Sequence, residues 1–462
     1  MKYPLIIIGG GLSGLAAGIR CSRYIPDVLI LEKHSRLGGL NSYYYRNKQL
    51  FETGLHAITN FAEPKDKHAP LNRLLRQLKI KREQLKICPQ IGSEIRFHNQ
   101  TSLFFSNDFN QIKDEIARAF PSSIDKFELL LKKFETIDPF APSPFSSARK
   151  FLDGTLQEPL LTDMLLCPLM YYGSSVENDM DLGQFIIMFT AIFKEGMFRP
   201  EGTIKDFIEI LSNLYKSQGG TIRKGCGVKE ILRNKDRIIG VTLENGEVLE
   251  CDHILSTIGH HETLELLSVN KAEKRVEKRL GFVETIYQLP IDQSSELPTD
   301  RTIIFYNNSK NFSYQQPKKL ADYNSGVICF PQNFSGVRAE KSMEVRSTHL
   351  ANFSKWKELS ADREKYLLEK QNVKENSAAT LENLIGKFHH NTVYSDTFTP
   401  VTVERYTSKI DGAIYGSPNK IKDGNIGFEN LFLAGTDQGF LGIIGSMLSG
   451  VSIANQHILP KL

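Results

Sequence analysis

A single tryptophan, Trp356, and six scattered cysteines are among the scarcest residues of this 462-residue chain. Cys21, Cys88, Cys167, Cys226, Cys251 and Cys329 form no C-x-x-C pair and have no zinc-ligand spacing. Such thiols suit a reducing cytoplasm better than a secreted disulfide framework. No apolar run reaches the roughly 18 residues that a spanning helix needs. The longest candidate, Phe185 to Phe193, is broken by Thr190 and closed by Lys194. The first run, Leu5-Ile6-Ile7-Ile8, is too short for a signal peptide and leads straight into glycines. Any membrane contact is therefore expected to be peripheral. A formal net charge of +4 does not point to nucleic acid, although it permits weak attraction to an anionic membrane surface. There is no G-x-S-x-G elbow and no serine or cysteine triad. His260-His261 has no third ligand at a useful spacing, so no metal site is expected.

What is present begins at the N-terminus. Gly9-Gly10-Gly11-Leu12-Ser13-Gly14 fits G-x-G-x-x-G, and its context raises it above a chance match. An all-apolar strand, Leu5 to Ile8, precedes it. A helix with Leu12, Leu15, Ala16 and Ile19 on one side follows. A second strand, Val28 to Leu31, ends in Glu32, 18 residues after Gly14. Gly9 allows the tight turn, Gly11 lets backbone approach a pyrophosphate, and Gly14 lets helix pack on strand. The helix start offers free N–H groups and a positive dipole end to phosphates. Glu32 suits the hydroxyls of an unphosphorylated ribose.

The rest of the chain is too long for one core, so at least two domains are expected. Residues 61–200 mix helical spacing with loops, among them Asp138-Pro-Phe-Ala-Pro-Ser-Pro-Phe145, whose prolines bar regular structure. The spacing of Ile204, Phe207, Ile208, Leu211, Leu214 and Tyr215 predicts an amphipathic helix ended by Gly219-Gly220. Strands are expected at Val228 to Arg233, Ile238 to Leu243, Val248 to Cys251 and His253 to Ile258, with a hairpin turn at Asn245-Gly246. Lys271 to Arg279 and Arg363 to Glu375 are charge runs that read as solvated helix faces. Residues 430–434 form a buried-strand pattern before a glycine-rich loop and a last helix carrying Met447, Leu448, Val451 and Ile453.

Between Glu32 and residue 56 the chain runs through Gly38-Gly39 and closes with Phe51-Glu52-Thr53-Gly54-Leu55-His56, where a simple dehydrogenase would enter another helix. This succession resembles the second glycine motif of the FAD-binding two-domain flavoproteins: amine oxidases, protoporphyrinogen oxidase, and the phytoene desaturases with their carotenoid isomerase and retinol saturase relatives. The resemblance is dense in residues 3–58, 200–259 and 430–454. "FETGLHAI" at 51–58, "TPVTVERYTSKIDGAIYG" at 399–416 and the glycine-rich stretch 442–450 favour the desaturase branch. Leu40, where many relatives carry arginine, and Gly435-Thr-Asp-Gln-Gly-Phe, in place of the desaturases' serine-threonine-histidine-proline run, depart from it.

The resemblance implies an α/β, FAD-binding Rossmann-like domain built from residues 1–60, 203–262 and 396–462, with a discontinuous α+β substrate domain from 61–202 and 263–395. It implies FAD, held by Gly9, Gly11, Leu12, Ser13, Gly14, Glu32, Lys33, Gly38, Gly39, Leu40, Val228, Gly435, Thr436, Asp437, Gly442, Ile443, Ile444 and Gly445. Asp437 reads equally as a turn-capping aspartate. His56 is the candidate for proton handling, or else a satisfied structural histidine. Lys33, Arg36, Arg301 and Arg405 suit anionic groups or simply the surface. The implied activity is desaturation, saturation or isomerisation at C–C or C=C bonds of a lipophilic polyene or isoprenoid. The alternatives are an amine oxidase-like flavoenzyme and a non-catalytic isoprenoid-binding protein of the same fold. Met164 to Tyr172 and Phe185 to Phe193 read either as ordinary core or as a lipid tunnel or membrane-contact surface.

Overall fold

A strand without polar alternation has no solvent face, so it belongs inside a parallel sheet. In the computed structural model Lys2–Ile8 does so: Leu5 to Ile8 are buried, with parallel partners Leu29–Glu32 on one side and Val248–Ser256 on the other. Thr221–Lys224 extends the sheet beyond Leu29–Glu32, and Leu431–Leu433 pairs in parallel with Val248–Ser256. The antiparallel strands Val228–Asn234 and Arg237–Leu243 complete seven strands. The structure describes residues 2–54, 56–98, 101–141, 143–268, 279–294, 296–338 and 342–461. Apart from Arg279, the charge run Lys271 to Arg279 lies outside them.

Two features differ from expectation. Val248 to Cys251 and His253 to Ile258 are one strand, Val248–Ser256. The first part of its outer edge pairs with Arg237–Leu243 and the last part with Leu431–Leu433. Thr221–Lys224 is a strand that its short, basic sequence does not announce.

The helices explain the glycines. Leu12–Ser22 runs between the sheet and the last long helix, Gly442–Ile453. A Cβ on Gly14 would lie 2.1 Å from the Gly9 carbonyl oxygen, and one on Gly450 would lie 2.1 Å from that of Ser13. Both contacts are backbone against backbone, so no side chain fits. Ile204–Ser217 packs on the same first helix. It starts with a reciprocal cap in which Thr203 Oγ1 accepts from the Asp206 N–H and the Asp206 carboxylate accepts from the Thr203 N–H.

A second seven-stranded sheet runs in the order Tyr394–Phe398, Gly281–Pro290, Ser342–Ala351, Ser325–Cys329, Ile303–Asn307, Ser93–Phe97, Ser102–Phe105. Tyr394–Phe398 straddles the expected boundary at 396 and pairs antiparallel with Gly281–Pro290. The helices Pro159–Gly173 and Leu182–Phe189 belong to the largest core of this half: Met164, Leu166, Met170, Phe185 and Phe189 are buried in it. Of the apolar stretch 160–193, Tyr171 and Tyr172 line the cavity described below, and most of the rest is buried in this core. Most of it is therefore core, not tunnel wall. Among the described residues no helix is long and apolar enough to cross a membrane.

Two glycine substitutions should part company. Gly450→Val is expected to destabilise the protein by at least ~1–3 kcal/mol through overpacking against Ser13. Gly154→Ala, at an exposed helical position whose Cβ would meet nothing within 4 Å, is expected to stabilise by ~0.5–1 kcal/mol. Urea-unfolding midpoints measure both.

Candidate active site

A cavity of about 620 Å³ lies between the two sheets. At one end stand Glu32, Arg36, Gly39 and Leu40. At the other stand His56, Tyr171, Tyr172, Phe282, Glu284, Val327 and Thr348, with Thr436, Gly442, Ile443 and Ser446 lining it from the C-terminal segment.

The glycine-rich end is bare backbone. The Gly38 N–H donates to the Gly10 carbonyl at 2.9 Å, which sets the two glycine turns side by side. A Cβ on Gly11 would meet nothing nearer than Gly39 Cα at 3.9 Å, so here, unlike at Gly14, the protein itself leaves room. Glu32 Oε2 accepts from the Gly10 N–H and Oε1 from the His34 N–H, each at 2.7 Å. Burial pushes the Glu32 carboxyl up, and those two donors hold the shift back. Arg36 and Arg405 line this end, lying over the rings of Tyr43 and Tyr406. Arg301 is elsewhere, paired with Glu94 and Asp300.

The C-terminal segment brings a helix start. Gly442 and Ile443 open Gly442–Ile453 on the cavity, so its unpaired N–H groups and positive dipole end face the space. Gly445 does not line it: its missing Cβ would lie 3.2 Å from the Phe440 carbonyl carbon, and Ile444 is buried in the core. Leu12 and Ser13 are buried under the first turn, Lys33 is exposed and paired with Glu244 at 3.3 Å, and Val228 packs against the core of the first sheet. Gly435 donates its N–H to Ser449 Oγ at 2.6 Å.

Asp437 is a pin. Its Oδ2 accepts from the His260 N–H at 2.7 Å and its Oδ1 from the Ser417 N–H at 2.8 Å, joining three distant segments. Burial alone would raise its carboxyl, but Lys409, Lys420 and these N–H groups hold it at about 2. Thr436 lines the cavity, and its Oγ1 accepts from Lys409 Nζ at 3.4 Å.

At the inner end His56 Nε2 lies 3.1 Å from Glu284 Oε2 and 3.2 Å from Thr348 Oγ1. Glu284 and Thr348 are cross-strand neighbours in the second sheet. Beneath them Arg199 donates to Glu52 at 2.7 Å, and Arg346, itself fully buried, reaches Glu52 at 3.2 Å and Glu344 at 2.7 Å. Burial would raise the Glu52 carboxyl, yet Arg199 and Arg346 bring it below the usual range. Sequence patterning pointed to His56 but to neither Glu284 nor Thr348; their meeting depends on sheet register, which no local motif encodes.

The family model of the flavin-containing amine oxidoreductases matches residues 12–290, more than half of the chain. The chain belongs to that family. It is a flavin-dependent oxidoreductase whose cofactor is FAD. It is 22% identical to the 4,4'-diaponeurosporene oxygenase of Staphylococcus haemolyticus, over all of this chain and 97% of that protein. It is also 22% identical to the Staphylococcus aureus enzyme of the same name, over all of this chain and 98% of that one. Among solved structures it resembles an oxidoreductase from Methanosarcina mazei (TM-score 0.69, 14% identity, 98% of this chain and 100% of that one). It also resembles putrescine oxidase bound to putrescine (TM-score 0.61, 13% identity, 99% of each chain). These likenesses establish the FAD-binding amine oxidase fold. The named relatives are oxygenases and amine oxidases, so desaturase-like specificity is not part of the family assignment.

Asp437 should leave a pH signature. Its folded value of about 2 lies below its ordinary 3.8. Its stabilisation is therefore complete above about pH 4 and disappears as pH falls through 2, a difference of roughly 2 kcal/mol. Asp437→Asn is expected to flatten that acid limb in urea titrations run between pH 5 and pH 2.

Proposed function

We propose that this chain uses FAD to oxidise, saturate or isomerise C–C or C=C bonds of a lipophilic polyene or isoprenoid, in the manner of the phytoene desaturase branch. The observation that carries this is a cavity lined both by Gly39, whose turn leaves open space over Gly11, and by Tyr171, Tyr172, Phe282 and Val327. Full-length similarity to enzymes named for 4,4'-diaponeurosporene, itself a polyene, supports the substrate class. An apolar chain needs few polar anchors and gains affinity from buried area.

In this reading Gly11 and Gly39 would leave room for the pyrophosphate of FAD, Gly9, Gly14 and Gly38 shape the turns that hold them, and Glu32 would hold the ribose. The fit rests on the open space over Gly11 and on a carboxylate already oriented by Gly10 and His34. The start of Gly442–Ile453 lines the cavity with Gly442 and Ile443, where its dipole would stabilise negative charge on a bound flavin. Bound FAD supplies two-electron chemistry. The protein excludes water from the inner end and fixes the ring of His56 between Glu284 and Thr348, where it can hold or pass a proton. Residues 1–60, 203–262 and roughly 399–462 form the FAD domain, and the intervening segments, with Tyr394–Phe398, form the substrate domain. Phe140 and Phe145, more than half exposed on the proline-rich loop, suit shallow contact with a membrane that delivers the substrate.

The purified protein should be yellow and release FAD on denaturation. Gly11→Val should remain folded by circular dichroism, since the apoprotein has room for the side chain, yet be colourless because the side chain occupies the pyrophosphate groove. A yellow, FAD-replete Gly11→Val protein would sink the assignment of the groove. Acyclic polyenes presented in liposomes should reduce the flavin or change their own spectrum, while putrescine and primary amines should not. Rapid amine turnover without any polyene response would reverse the choice of substrate.

A further inference from the structure

Two residues that line the cavity, Glu284 and Tyr172, each carry a buried polar atom without a hydrogen-bond partner among the described residues. Glu284 is only 4% exposed, and its Oε2 faces His56 Nε2, but its Oε1 has no hydrogen-bond partner among the described residues. The hydroxyl of Tyr172 is buried and also lacks a partner among them. Both residues line the same cavity. The neighbouring tyrosines are committed: Tyr171 shares a hydrogen bond with Ser325 Oγ at 2.9 Å, and the Tyr415 hydroxyl donates to the Tyr171 carbonyl. Tyr172 packs edge-to-face against Phe305, ring centroids 5.5 Å apart.

A buried polar atom without a partner is costly, and its natural complement is a group the ligand brings. Here one orphan is a carboxylate oxygen, which only accepts, and the other is a phenol. Burial, with the charge of Glu284 among the added causes, raises the Tyr172 phenol well above its usual range, so it keeps its proton and donates. The complement must donate one hydrogen bond and accept another. A hydrocarbon does neither. An ether or aldehyde only accepts and would face the carboxylate unpaired. An ammonium only donates and leaves the phenol unmet. An alcohol does both.

We infer that the inner wall of the cavity binds a hydroxyl group of the substrate, which donates to Glu284 Oε1 and accepts from Tyr172 Oη. This rests on the polyene or isoprenoid reading above and narrows it to a lipophilic alcohol. Both anchors come from the second sheet and its covering helix, not from the glycine turns or the helix start at Gly442. The competing occupant is the imide edge of the flavin, which also pairs an N–H with a carbonyl oxygen.

The test uses the FAD-loaded protein in detergent micelles with three probes: geranylgeraniol, its methyl ether and squalene. Binding is read from the visible absorbance of the bound flavin. Wild-type protein is expected to prefer the alcohol over the ether by about tenfold or more, because the ether leaves Glu284 unpaired. Glu284→Gln and Tyr172→Phe, both close in shape to the native residues, should each cut that preference to within about threefold, with FAD affinity and the ligand-free flavin spectrum unchanged. Equal binding of alcohol and ether by wild type overturns the inference while leaving the isoprenoid reading standing. Loss of FAD affinity in the variants, with the alcohol preference intact, overturns it in favour of the flavin edge. No response to any of the three probes overturns the isoprenoid reading itself.

Discussion

Everything at the cofactor end depends on backbone touching backbone where the last long helix crosses the first. The crossing is closed because Gly450 presents only a hydrogen to the Ser13 carbonyl and Gly14 only a hydrogen to the Gly9 carbonyl. Any side chain at either point would push the helix starts away from the cavity they share. The contact binds the N-terminal βαβ unit to residues more than four hundred positions later and sets the gap between two families of glycines. Gly14 and Gly450 are small because protein fills the space beside them. Gly11 is small although nothing in the protein fills it.

The substrate end is organised by charge rather than by close packing. Glu52, Arg199, Glu344 and Arg346 are removed from water together, and each would be costly alone. They span Gln49–Glu52, which follows the second glycine turn, the short strand Met197–Pro200 and the long strand Ser342–Ala351. Glu52 Oε1 also accepts from the Ile204 N–H at the start of Ile204–Ser217, so the same carboxylate caps a helix of the cofactor half. The same buried ionic knot thus ties the second sheet to the start of Ile204–Ser217. That knot fixes the strand on which Glu284, and through it His56, stands.

Local grammar made the cofactor half legible. Turn, helix and acidic strand end within 32 residues carry their own spacing, and Glu32 and Gly39 lie where that spacing puts them. Gly445 and Asp437 show that residues picked out by the same grammar also carry structural roles. A glycine in a flavin-like stretch can be small because a neighbouring carbonyl presses on it, and an aspartate beside it can be tied to backbone N–H groups from elsewhere. The substrate wall was not legible at all. Glu284 and Thr348 are sixty-four residues apart and meet only through the register of two ten-residue strands. Tyr172 looks like the end of an apolar helix until the cavity behind it is seen. The apolar stretch 160–193 carried a tunnel-like signal because buried core and lipid-facing wall have the same composition.

The path of the chain through the first sheet has a consequence for biosynthesis. The strand Val248–Ser256 waits with half of one edge unpaired until Leu431–Leu433 arrives, and the helix that completes the groove follows that strand. On the ribosome, the glycine turns emerge early and stay open on one side through most of translation. A nascent chain therefore has no closed place to keep its nucleotide until Leu431–Leu433 and Gly442–Ile453 have been made and have folded back onto the first sheet.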